Sequence, residues 1–203
     1  MSTPRRLPVA SPLMMRGMAA WATAGLLALL MVCTRGQHLA GIDGLPSASW
    51  AVFFLAGALL RPAWVLPLLF ALASALDLLG LASGSIGDWC LSPAYWALAL
   101  AYTALWSGGR VYARRLQHGG WRAAPRLLLA ILLSGSAAYL LSKGSFYFFS
   151  GRYLEPTVAG FLARMPVHYP RAMLPLLGYV GAVLTILAAA RSRSPFSPSG
   201  VRA

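Results

Sequence analysis

Asp77, Cys90 and Tyr95 bring a carboxylate, a thiol and a phenol into one short stretch of the chain. Asp77 lies at the end of an apolar run, where an acid costs about 2.5 to 3.5 kcal/mol on membrane-insertion scales. Two placements account for it: facing a bundle interior or water-filled cavity, or ending a helix at the interface. Cys90 stands in Asp88-Trp89-Cys90. The adjacent carboxylate disfavours the thiolate, and no Lys, Arg or His is nearby in sequence to favour it, which argues against a general nucleophile. A bound metal reverses that balance, because it deprotonates a coordinating thiol directly. An inert interfacial cysteine is the plainer alternative. Cys33 is expected near the same surface, so a disulfide to Cys90 stays open in an oxidising compartment and would remove the thiol as a ligand. Tyr95, Tyr102 and Trp106 recur at i, i+7 and i+11, on one helix face. Packing accounts for the deeper two, while the Tyr95 hydroxyl could reach a ligand above the bundle.

Other chemistries lack their residues. A phosphate-binding P-loop needs a lysine after its second glycine, and the one lysine of the chain is Lys143. Any coupling to ATP must come from another polypeptide. The H-E-x-x-H zinc pattern is absent, and His38, His118 and His168 are far apart in sequence, so a histidine-built metal site is not expected.

The elements that must position these residues are apolar. Of 203 residues, 59% are hydrophobic and 10% charged, against about 25% charged in a soluble domain. The formal net charge of +13 comes from small basic clusters between apolar runs, without a basic groove or RNA-binding signature, so nucleic acid is not an expected partner. Charges bracket six uncharged stretches at 17–34, 44–60, 62–76, 89–109, 127–142 and 172–190. Most approach the ~20 residues that span hydrocarbon. The third does so if it continues past Asp77 to about Ser83, and the fifth extends through Lys143. The expected fold is an all-α integral membrane protein of six transmembrane helices, spanning 14–191 between tails at 1–13 and 192–203. The basic N-terminus followed by an apolar run resembles a secretory signal, but Val32 stands where a lipoprotein signal wants a small residue before Cys33, and the segment reads as the first helix.

With the N-terminus inside, the inner segments hold 12 of the 17 basic residues, the asymmetry of the positive-inside rule, and both termini are cytoplasmic. All four acids, Asp43, Asp77, Asp88 and Glu155, then gather at or near the outer face. Leu60-Arg61-Pro62 makes a tight hairpin between helices two and three. A Gly- and Ser-rich loop joins three to four. Tyr139, Ser142, Lys143 and Phe146 recur at helical spacing toward the outer end of the fifth segment. A long outer connection, roughly 150–170, reads as a functional loop.

Six short-looped helices with ligand-type residues at the outer face resemble the substrate-binding S-components of energy-coupling-factor vitamin transporters. Asp77, Cys90 and Tyr95, at their spacing across the loop between helices three and four, resemble the binding-site set of the cobalamin-specific branch. The resemblance implies bacterial uptake of cobalamin, bound as substrate with no intrinsic cofactor, in the inner membrane. It also implies that Cys90 coordinates the corrinoid cobalt, as a soft thiolate suits; a thiolate there could assist decyanation of cyanocobalamin. Ala20 and Ala24 match the A-x-x-x-A motif by which S-components dock on a transmembrane coupling subunit with its ATPases, although internal helix packing also accounts for a small-residue stripe; the chain would work with that module or alone. Trp89, Tyr147, Arg152, Tyr153, Arg164 and His168 are further candidates for the pocket wall and lid, chosen from their positions and not from the family. The rival readings are an S-component for another vitamin and a membrane thiol enzyme using Cys90 with Asp77 as acid or base, which lacks a sequence-adjacent activator.

Overall fold

The structure is a computed structural model that describes residues 15, 17–35, 46–85, 92–116 and 123–192. The elements formed by the described residues are helices: α1 (Gly17–Arg35), α2 (Ser49–Leu59), α3 (Val65–Ala82), α4 (Ala97–Val111), α5 (Ala123–Tyr139), α6 (Ser145–Phe149) and α7 (Val158–Ser192). A 3-10 turn, Pro93–Trp96, leads into α4, and π turns follow α4 at Tyr112–Leu116 and α5 at Leu140–Gly144. The second π turn joins α5 and α6 into one helical leg.

Helix α2 forms the centre. Every residue of it but Trp50 is buried, and α1, α3, α4 and α7 surround it. Close approach of α2 and α4 depends on two glycines: a Cβ on Gly57 would strike the Trp106 carbonyl, and one on Gly109 the Phe54 carbonyl. Small residues at such crossings let backbones meet, as membrane bundles require. Phe53 of α2 stacks on Tyr102 of α4 with ring centroids 4.0 Å apart. The outward faces are apolar, with Met18 and Trp21 on α1, Leu68 on α3, Leu133 on α5 and Ile186 on α7 exposed, a pattern suited to lipid and costly in water.

Four helical stretches are long and apolar enough to cross a membrane: 17–35, 65–82, 123–149 and 158–187. The other two expected spans come out differently. Helix α2 has 11 residues, about 16 Å at 1.5 Å per residue and roughly half of a hydrocarbon core. An uncharged run measures where charge is absent and not where helix begins; residues 46–48 are non-helical. Helix α4 has 15 residues and gains length from its flanking 3-10 and π turns. Asp77 does lie inside α3, which runs to Ala82 as expected. Gly84, at φ +69°, then stops it: the Ser85 N–H donates to the Gly80 carbonyl at 2.9 Å, a helix-ending turn that favours glycine.

The expected long outer loop at 150–170 is not one. Non-helical chain covers only 150–157, and α7 begins at Val158 and continues through Pro166, Pro170 and Pro175. Proline content suggested a loop because each proline removes a helical N–H. A local cap and two tertiary anchors outweigh that loss. Thr157 Oγ1 accepts from the Gly160 N–H at 3.1 Å, an N-terminal cap. The Tyr169 hydroxyl pairs with Ser136 Oγ at 2.7 Å, and the Tyr179 hydroxyl donates to the Pro46 carbonyl at 2.9 Å. The helix is thus held on both sides of its prolines.

Candidate functional site

A cavity of about 660 Å³ occupies one end of the bundle, where the C-terminal ends of α1 and α3, the N-terminal ends of α2 and α4, the π turn after α5 and the middle of α7 converge. Its size falls within the ~300–1,000 Å³ of small-molecule sites. Trp50, Leu76, Leu98 and Phe146 give it apolar wall.

Asp77 is 5% exposed, so of its two expected placements the bundle interior is the one found. It does not stand alone there. Arg35, the last residue of α1, clasps it with two parallel bonds, Nε to Oδ1 at 2.8 Å and Nη2 to Oδ2 at 2.6 Å. The third guanidinium nitrogen, Nη1, donates to Ser49 Oγ at 2.9 Å and to the Tyr102 hydroxyl at 2.6 Å. Both partners of the ion pair are largely buried; such a pair is tolerated in a low-dielectric interior only with good geometry and further hydrogen bonds, and here it has both. The Tyr102 stack on Phe53 fixes the hydroxyl that Arg35 meets, so the close α2–α4 packing also sets the electrostatics of the site.

Tyr95, on the 3-10 turn before α4, donates its hydroxyl to Asp77 Oδ2 at 2.9 Å and lies 3.2 Å from Ser74 Oγ. Two of the three residues singled out from sequence therefore meet in the cavity. The third, Cys90, lies outside the described residues, as do Trp89, His38 and His118; the question of a Cys33–Cys90 disulfide falls there too. Ser85 and Ala94, the nearest cavity-lining residues on either side of the undescribed 86–91, both line the cavity. Among the described residues no three His, Cys, Asp or Glu side chains come together.

Of the further candidates, His168 lines the cavity. Tyr147, Tyr153 and Arg164 do not; they form a neighbouring cluster in which Arg164 lies over the Tyr153 ring at 4.8 Å and over Tyr147 at 5.6 Å. Arg152 is exposed on the 150–157 connection. Ala20 and Ala24 are partly buried against the core and line a second cavity of about 320 Å³ at the opposite end of the bundle, with Trp21, Arg61 and Trp64.

Sequence reasoning gave no site role to Arg35, Ser49, Ser142, Lys143 or Arg171, all of which line the cavity. A usable signal existed for Arg35: an acid within an apolar segment calls for a cation, and Arg35 ends an uncharged run. Compared with known proteins, the chain matches no family model and no curated sequence.

Proposed function

We propose that this protein is a membrane-embedded binding and uptake protein for cobalamin-type corrinoids, with six transmembrane passes, both termini in the cytoplasm and the cavity facing outward in a bacterial inner membrane. The observation that carries the reading is the hydrogen bond between Asp77 and Tyr95 inside a partly apolar cavity, because both positions belong to the set by which the chain resembles cobalamin-specific S-components. The cavity combines apolar wall for a macrocycle with hydroxyls and charges suited to its amide side chains. In this account Arg35 is a positioning residue: it holds the Asp77 carboxylate turned so that Oδ2 also receives Tyr95.

Cys90 would supply a thiolate to the substrate's cobalt. Donation from that side weakens the bond to a cyanide on the opposite face, so that cyanide leaves with its electron pair and is protonated in solvent, with no change in cobalt oxidation state. Cys90→Ser releasing cyanide as fast as wild type would contradict that step. Without a P-loop lysine the chain cannot itself drive transport by ATP hydrolysis. Energy would come from a separate coupling module, for which Ala20 and Ala24 are the docking candidates, or the chain would act alone.

The test is a titration of purified wild type and Cys90→Ala with cyanocobalamin, cobinamide and a non-corrinoid vitamin, followed by visible absorbance. Corrinoid binding to wild type, with a spectral change lost in Cys90→Ala, is expected. Selective binding of the non-corrinoid vitamin would replace the ligand assignment, and a spectrum independent of Cys90 would remove the cobalt ligand.

A further inference from the structure

A second group of residues lining the cavity, on the α5–α6 leg and α7, is cationic. Lys143 on the π turn and His168 and Arg171 on α7 all line the cavity, and all three are exposed. None of them has a hydrogen-bond or ion-pair partner among the described residues. Their alignment follows from the elements. His168, Arg171, Ala172 and Pro175 stand at i, i+3, i+4 and i+7, one stripe of α7, and all four line the cavity. The π turn Leu140–Gly144 shifts the register of the α5–α6 leg, the kind of local insertion that tends to occur at functional positions. It brings Ser142 and Lys143 to the cavity together. Ser142 is 9% exposed, and its buried hydroxyl has no partner among the described residues; an unmet buried donor is costly.

Interfacial lysines and arginines ordinarily extend toward the headgroups, but that account leaves the Ser142 hydroxyl unexplained and does not require both cations to face a cavity. Asp77, the carboxylate among the described lining residues, already has both oxygens engaged by Arg35. We infer that Lys143 and Arg171, with His168 and Ser142, form a subsite for an oxyanion of the bound ligand, of phosphate type. The inference rests on the corrinoid reading and deepens it: the recognised ligand is a corrinoid whose side chain carries a phosphate ester.

Cobinamide and cobinamide phosphate differ by that group alone and separate the two claims. Wild type should bind cobinamide phosphate about tenfold tighter than cobinamide at fixed ionic strength, the effect of one charge-assisted contact. The double variant Lys143→Gln/Arg171→Gln should lose the preference and bind the two ligands alike. Equal affinities in wild type, or a preference that survives in the double variant, would overturn the subsite while leaving the corrinoid assignment standing. A second readout does not depend on corrinoids. Pyrophosphate, compared with chloride at equal ionic strength, should raise the Tm of wild type and not of the double variant. If wild type binds no corrinoid the parent reading falls, and the pyrophosphate result then decides the subsite: a shift confined to wild type supports it, and equal shifts or none overturn it.

Discussion

On one wall of the cavity Arg35 gives every nitrogen of its guanidinium to Asp77, Ser49 and Tyr102, whereas on the other Lys143, His168 and Arg171 meet no such partner among the described residues. The first wall is saturated. Its charges hold α1, α2, α3 and α4 in register, and a ligand meets an arrangement already made. The second wall has cations to spare. A buried charge with its partners removed destabilises a fold, while an exposed charge that never had partners contributes little to it. Substitutions on the first wall should therefore register in stability, and those on the second in binding.

The largest effect is expected for Asp77→Asn. It leaves Arg35 buried without its counter-charge, and thermal unfolding in detergent should report a loss of about 3–5 kcal/mol. Replacing both partners, as Arg35→Met/Asp77→Leu, should cost clearly less than the sum of the single changes in a double-mutant cycle; strict additivity would mean the two are not coupled. Arg35→Lys comes next. Lysine keeps the charge but not the fork that meets both carboxylate oxygens, so a loss of about 1.5–3 kcal/mol follows. Tyr102→Phe keeps the stack on Phe53 and removes one hydrogen bond to a charged group, about 1.5 kcal/mol by the same measurement. Lys143→Gln should change stability by about 0.5 kcal/mol or less. A large loss there would erase the contrast between the walls.

What could be read from the sequence was governed by local cost. Asp77 announced itself because an acid in an apolar run is expensive wherever it sits, and the glycine that ends α3 has a local signature. Tyr95 was placed by helical spacing, although it sits on a 3-10 turn and not in α4 proper. Arg35 went unseen because its partner is 42 positions away, and charge counting treats a helix-end arginine as a loop cation. Lys143 was read only as extending the fifth helix and Arg171 only as one of the outer basic residues; no pattern within a single helix shows that a π turn on one leg and a stripe on another face the same space. The 150–170 segment misled for the opposite reason: its prolines are a strong local signal, overridden by Tyr169 and Tyr179, whose partners Ser136 and Pro46 lie elsewhere in the chain. The shortness of α2 was likewise hidden, since an uncharged run from 44 to 60 has the composition of a span whether or not its first residues are helical.

The cavity as a corrinoid site is tested most directly by locating the cobalt. With the protein saturated in cobalamin and crystallised, anomalous difference density at the cobalt absorption edge should show one peak within the space bounded by Asp77, Tyr95 and Lys143. A peak on the lipid-facing or inner surface, or none at saturating ligand, would contradict the account.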